Sequence, residues 1–192
     1  MQEMEIMDIF KKMQAYQQGH FRLSSGLHSG GYLQCARVLQ DPVVAERLCG
    51  ALARKFKADK PDIVLGPAMG GIVLAYELAR QLGARAIFSE RDDDGKMTLR
   101  RGFRVSQENR VLIAEDVLTT GKSVKEVISL LEKDGIRPVG VASLVDRSTS
   151  EINFGGVKKE SLIKLDIPTF QEAECPLCQE GMPITKPGSR KF

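Results

Sequence analysis

Glu115 and Asp116 are adjacent carboxylates that close an apolar run, Val111-Leu112-Ile113-Ala114. Val117 and Leu118 link them to a turn of small and polar residues, Thr119-Thr120-Gly121-Lys122-Ser123, after which an apolar-periodic helix begins. That order presents two acids and a nest of backbone N–H groups at the carboxyl end of one strand, where open α/β sheets bind their ligands. The helix start attracts an anion of phosphate size, and paired carboxylates accept hydrogen bonds from neighbouring hydroxyls. Residues 115–123 therefore suit a ligand carrying both a diol and a phosphate, such as a sugar phosphate. Gly121-Lys122-Ser123 also matches the end of a triphosphate-binding P-loop. The first glycine of that motif would fall at position 116, where Asp116 would repel the phosphates.

The elements that must position this site follow from periodicity. Ile6, Ile9, Phe10, Met13 and Tyr16 mark a helix over 3–18, and residues 20–40 read as turns or a short hairpin. Asp41-Pro42 caps a second helix carrying Val44, Leu48, Ala51, Leu52 and Phe56. From there strands at 62–65, 85–88, 110–116 and 139–146 alternate with helices at 70–82 and 122–134, the second ended by Gly135. Such alternation predicts an α/β fold with a mostly parallel sheet flanked by helices. We read 1–192 as one domain, with a hood from residues 1–40 and the C-terminal segment, a core over 41–150, and an irregular tail over 172–192.

Four further elements carry chemistry. Gly66-Pro67-Ala68-Met69-Gly70-Gly71 joins a strand to a helix, and its glycines let backbone approach a ligand closely. Residues 89–104 bear a run of charge, including Arg91, Asp92, Asp93, Asp94, Lys96, Arg100, Arg101 and Arg104, in a connection long enough to be a mobile lid. Arg147, after Leu144-Val145-Asp146, is shaped to clamp a carboxylate in bidentate fashion unless Asp146 occupies it. Cys175-Pro176-Leu177-Cys178 is half of a zinc knuckle. No second pair or histidine follows it, and Cys35 and Cys49 lie far upstream, so four ligands would require the tail to dock or a partner to contribute. His20 and His28 read as surface turn histidines.

Composition limits the function classes. Among 192 residues, 28 Lys and Arg against 25 acids leave a net charge of +3, too small a surplus to argue for nucleic acid. No apolar run is long enough to span a membrane. The acidic, helical start MQEMEIMDIF is unlike a secretory leader, so a cytoplasmic protein is expected. The four cysteines do not suggest a disulfide framework.

Residues 111–123 resemble the phosphoribosyl pyrophosphate (PRPP) motif of the type I phosphoribosyltransferases. The resemblance implies that Glu115 and Asp116 hold the ribose hydroxyls and that Thr119, Thr120, Gly121, Lys122 and Ser123 hold the 5-phosphate. It likens residues 66–71 to the pyrophosphate loop, with Ala68, Met69 and Gly70 at the ligand and a peptide bond in 67–70 that is often cis. It makes Arg91 and Lys96 the best matches to catalytic lid cations, in a loop that closes over the neighbouring subunit of a homodimer. Gly19 to Ser29 resembles the hood of the orotate phosphoribosyltransferases, F-x-L-x-S-G-x-x-S, which purine relatives lack. Orotate would then meet Ser25, Tyr32 or Leu33, Thr119 and Arg147, while Ser24 stands where some relatives have lysine. Mg²⁺ is the implied cofactor, held mainly by PRPP and water with Asp116 nearby. The alternatives are transfer to another base, or a PRPP-sensing regulator of nucleic acid.

Overall fold

The computed structural model describes residues 1–23 and 25–187. Ser24 and the tail residues Gly188, Ser189 and Arg190 lie outside the described residues. The chain opens with helix α1 (Glu3–Lys12) and a hairpin, β1 (Tyr16–Arg22) and β2 (His28–Leu33). The first helix is shorter than its apolar stripe suggested, because Gln14 takes a positive φ and Tyr16 already belongs to β1. Two helices follow, α2 (Ala36–Leu39) and α3 (Pro42–Arg54). Asp41 caps α3 by accepting from the Val43 and Val44 amides at 3.0 and 3.2 Å, with Pro42 in the first turn.

The core then runs β3 (Ile63–Pro67), α4 (Gly70–Leu82), β4 (Arg85–Arg91), β5 (Met97–Leu99), β6 (Val111–Leu118), α5 (Lys122–Glu132), β7 (Gly140–Asp146) and β8 (Lys159–Lys164). These strands make one sheet in the order β5-β4-β3-β6-β7-β8, parallel throughout except for β5, which pairs antiparallel with β4. Strand β4 runs on past Phe88 to Arg91 and turns into β5, so the charged connection begins as a hairpin. The core sheet also continues beyond residue 150, through β8.

Alternation along the strands sends side chains to two cores. Val64, Leu112, Ala114, Ala142 and Leu144 pack with α1, α3 and α4, whereas Ile63, Leu65, Val111, Ile113 and Val141 pack with α5. Both faces are covered, which is why β3 and β7 are buried at every position.

Residues 172–192 are not irregular throughout. After β9 (Thr169–Phe170), the tail forms a 3₁₀ turn at Glu172–Glu174, α6 (Pro176–Gln179) and β10 (Ile184–Thr185). Strands β9 and β10 flank the N-terminal hairpin in a second sheet, β10-β1-β2-β9. The propensities of two-residue strands are too weak to announce this in sequence; pairing with β1 and β2 creates them.

The turn from β3 into α4 has no room for side chains. A Cβ on Gly66 would stand 2.3 Å from the Gly71 carbonyl oxygen, a backbone atom that cannot swing away. Gly66→Ala should therefore destabilise the fold by about 3 kcal/mol, read as a lower urea midpoint at unchanged slope. An unchanged midpoint would mean that this turn relaxes freely.

Candidate functional site

The site is built at the carboxyl ends of β3 and β6, which are adjacent parallel strands. Each runs into a helix whose first turn receives no side-chain cap: α4 behind Met69 and α5 behind Gly121. Two helix N-termini, with their free N–H groups and positive dipole ends, thus flank the last residues of β6. Gly121 is required twice over. Its φ of +70° is left-handed, and an added Cβ would meet Ile152 at 2.9 Å and Phe154 at 3.0 Å. Within the turn, Thr120 Oγ1 accepts from the Lys122 amide at 3.3 Å, and Thr119, Thr120 and Lys122 face solvent beside half-buried Ser123.

Asp116 continues the parity of Leu112 and Ala114, so it turns toward α4. Its carboxylate covers Gly70 so closely that a Cβ there would lie 2.6 Å from Oδ1. The aspartate also accepts from the Val117 amide at 2.9 Å. Both acids are largely shielded, and burial pushes each carboxyl above its usual range. For Glu115, the neighbouring charge of Asp116 adds to that rise. For Asp116, hydrogen bonds from Glu115 and the Val117 amide partly oppose it. A site that makes two adjacent acids costly to ionise favours a ligand bringing hydroxyl donors or a cation. The donor set is hard oxygen, as Mg²⁺ requires. The Ala68–Met69 peptide is cis, and Met69 is largely exposed in front of α4.

Arg147 follows β7, and its backbone amide donates to the Leu118 carbonyl at 2.9 Å, which sets it beside the turn at residues 119–123. Asp146 does not occupy it. That carboxylate instead bonds Lys159 Nζ at 2.8 Å and the Ser148 amide at 2.9 Å. Burial alone would raise Asp146, yet these bonds hold it below its usual range. The guanidinium of Arg147 is half-buried, has no carboxylate partner among the described residues, and is pushed down by burial.

The lid cations stand elsewhere. Arg91 pairs with Glu126 on α5 and donates to the Gly95 carbonyl at 2.6 Å, and the Lys96 amide donates to Asp92 at 2.8 Å. A cleft of about 720 Å³ opens between this hairpin and α5, lined by Lys96, Thr120, Lys122, Lys125, Glu126 and Lys133. The Arg91 pair is exposed enough that water competes for it, so little energy holds it there. In the hood, Ser25 is an exposed turn residue accepting from Leu27 at 3.5 Å. Tyr32 is half-buried beside Phe21, ring centroids 5.7 Å apart.

One expectation is corrected. His20 and His28 are not surface histidines: they are 3% and 2% exposed, with His20 Nε2 3.0 Å from His28 Nδ1. Cys35 and Cys49 do not join the tail cysteines. Cys35 packs against the Asp116 backbone and Cys49 is buried in α3, while Cys175 and Cys178 meet the two histidines. The only sequence signal for this grouping was two histidines and a Cys-x-x-Cys left without partners.

Comparison with known proteins finds one family. The family model described as phosphoribosyl transferase domain matches residues 37–171. The orotate phosphoribosyltransferase of Caldanaerobacter subterraneus subsp. tengcongensis is 53% identical over 192 residues, covering 100% of both chains. That of Caldicellulosiruptor bescii is 52% identical over 183 residues, 95% of each. Among solved structures, orotate phosphoribosyltransferase from Aeropyrum pernix aligns with a TM-score of 0.68 at 27% identity, over 82% of this chain and 92% of that one. The Mycobacterium tuberculosis enzyme in complex with inorganic phosphate aligns with a TM-score of 0.65 at 25% identity, over 84% and 94%.

The acid pair has a stability cost that can be measured. A carboxyl raised by folding holds its proton where the unfolded chain has lost it, so stability falls as pH rises above the ordinary glutamate value of about 4.3. Glu115→Gln should flatten that decline and raise the ligand-free chain's stability at about pH 8 by at least about 1 kcal/mol. Parallel stability–pH curves for the two proteins would show that Glu115 is not held protonated by the fold.

Proposed function

The chain belongs to the phosphoribosyl transferase family and, within it, to the orotate phosphoribosyltransferases, and from that premise we propose how its site works. The substrates are PRPP and orotate, and the products orotidine 5′-monophosphate and pyrophosphate. The observation that carries the reading is the buried acid pair set between two uncapped helix N-termini, with the guanidinium of Arg147, which has no carboxylate partner among the described residues, at the next strand end.

In this reading the amides of Thr119 to Ser123 receive the 5-phosphate, and Glu115 and Asp116 accept from the ribose hydroxyls. Ala68, Met69 and Gly70 approach the pyrophosphate with backbone, because Asp116 leaves no side-chain room at Gly70. Arg147 takes the carboxylate of orotate, beside Thr119, with Ser25 and Tyr32 closing the base from the hood. The ring nitrogen of orotate then forms its bond to the anomeric carbon while the bond from that carbon to the pyrophosphate oxygen breaks, with inversion, and the proton on that nitrogen passes to water or to a pyrophosphate oxygen. In this reading the acid pair faces the ribose where positive charge develops, and the negative charge it carries there, in a dry, fixed site, stabilises that charge strongly.

Mg²⁺, which Asp116 and Glu115 suit as hard oxygen donors near the bound substrate, would neutralise pyrophosphate oxygens when present. Arg91 and Lys96 supply further positive charge once the lid hairpin leaves α5. The exposure of the Arg91–Glu126 pair supports that movement. We place the working form as a cytoplasmic homodimer in which the lid serves the neighbouring site. No helix among the described residues is long and apolar enough to cross a membrane.

Orotate ultraviolet absorbance, followed with PRPP in the presence and absence of Mg²⁺, tests the reading. The expected result is loss of orotate only when PRPP and Mg²⁺ are both supplied. No loss, with PRPP still bound by calorimetry, would point to another base or a regulator. Arg147→Ala should raise the KM for orotate about 10- to 100-fold, the worth of a charge-assisted hydrogen bond, with PRPP binding within about twofold. Equal losses for both substrates would remove the carboxylate clamp.

A further inference from the structure

Four side chains outside the transfer site converge on one point. His20 Nε2, His28 Nδ1, Cys175 Sγ and Cys178 Sγ all lie within 4.8 Å of one another. The histidine nitrogens are 3.0 Å apart, Cys175 Sγ is 3.5 Å from His20 Nε2, and Cys178 Sγ is 3.7 Å from His20 Nε2 and 3.2 Å from His28 Nδ1. Zinc binds imidazole at about 2.0 Å and thiolate at about 2.3 Å in a tetrahedron. Such a tetrahedron has edges of about 3.3 Å between nitrogens and about 3.5 Å between nitrogen and sulfur. Those four separations match these edges to within about 0.4 Å.

The surroundings fit as well. Met182 presents a carbonyl 2.8 Å from His20 Nδ1, and a carbonyl can only accept, so Nδ1 donates and Nε2 turns its lone pair to the cluster. His20, His28 and Cys175 are buried, and Cys178 is the most exposed of the four. Both cysteines are free thiols rather than a disulfide. We propose that these four residues bind one Zn²⁺ as a closed structural site that fastens the C-terminal tail to the N-terminal hairpin.

Two sulfurs and two nitrogens in this shape select zinc over the hard cation of the transfer site. With four protein ligands no position remains for substrate, so the role is structural. The topology says what is fastened. His28 pairs with Phe170 of β9 and His20 with Ile184 of β10, and Cys175 and Cys178 lie on the segment between those strands. Strands of two residues hold poorly by themselves. A metal bridging residues 158 positions apart, as His20 and Cys178 are, removes a large loop entropy from the unfolded chain. The inference does not rest on the transfer reaction, since no ligand of the cluster belongs to that site.

The test uses the full chain purified without chelator, with metal measured by plasma mass spectrometry. The expected content is about one zinc per chain, retained by Cys49→Ala and lost in Cys178→Ser. Replacing the metal with Co²⁺ should give the visible spectrum of a tetrahedral ion with thiolate charge-transfer bands. That measurement needs only the unsubstituted chain, so it decides even if Cys178→Ser fails to fold. Chelation should lower the melting temperature and open the tail to protease. A chain that carries no zinc and takes up neither added Zn²⁺ nor Co²⁺ would overturn the proposal. So would full zinc content in Cys178→Ser, or a native mass two protons light from a Cys175–Cys178 disulfide.

Discussion

The molecule depends on holding two adjacent carboxylates at the end of a strand that is otherwise wholly apolar. Val111 to Ala114 are buried on both faces, and that burial carries Glu115 and Asp116 into partial shelter where their charges are poorly solvated. The surrounding loops answer that constraint. Gly70 has no side chain because the Asp116 carboxylate fills the space. Two helices begin on either side without capping side chains, leaving their amides for an anion. The acids and the helix starts bring opposite charges to the two sides of one gap.

Arg147 extends the same logic by one strand. A half-buried guanidinium with no carboxylate partner among the described residues lies at the strand end next to the acids. Asp146 is drawn off by Lys159 and Ser148, which keeps Arg147 open. By contrast Arg91 is occupied, by Glu126 and by the Gly95 carbonyl.

Much of this was legible in the sequence because it is local. The helix at 70–82 matches to the residue, since Gly83 in the left-handed conformation ends it and apolar spacing fills it. The acid pair and turn were visible because strand, acids, turn and helix are consecutive. The strand bounds within 89–99 were not legible because charge dominates its composition, while its pairing depends on β4. The histidine–cysteine cluster was invisible for a stronger reason. Its members meet only after β9 and β10 add to opposite edges of the β1–β2 hairpin, and no spacing rule spans that distance. Burial of His20 and His28 is a product of the tail's docking, so reading them from their polar, glycine-rich neighbours gave the wrong side of the surface.

A crystal structure of the chain with PRPP and Mg²⁺ tests the central claim most directly. The account predicts the 5-phosphate on the amides of Thr119 to Ser123, both ribose hydroxyls within hydrogen-bond distance of Glu115 and Asp116, and pyrophosphate against the backbone of Ala68 to Gly70. A ribose whose hydroxyls face elsewhere, with the acid pair still protonated and untouched, would contradict it.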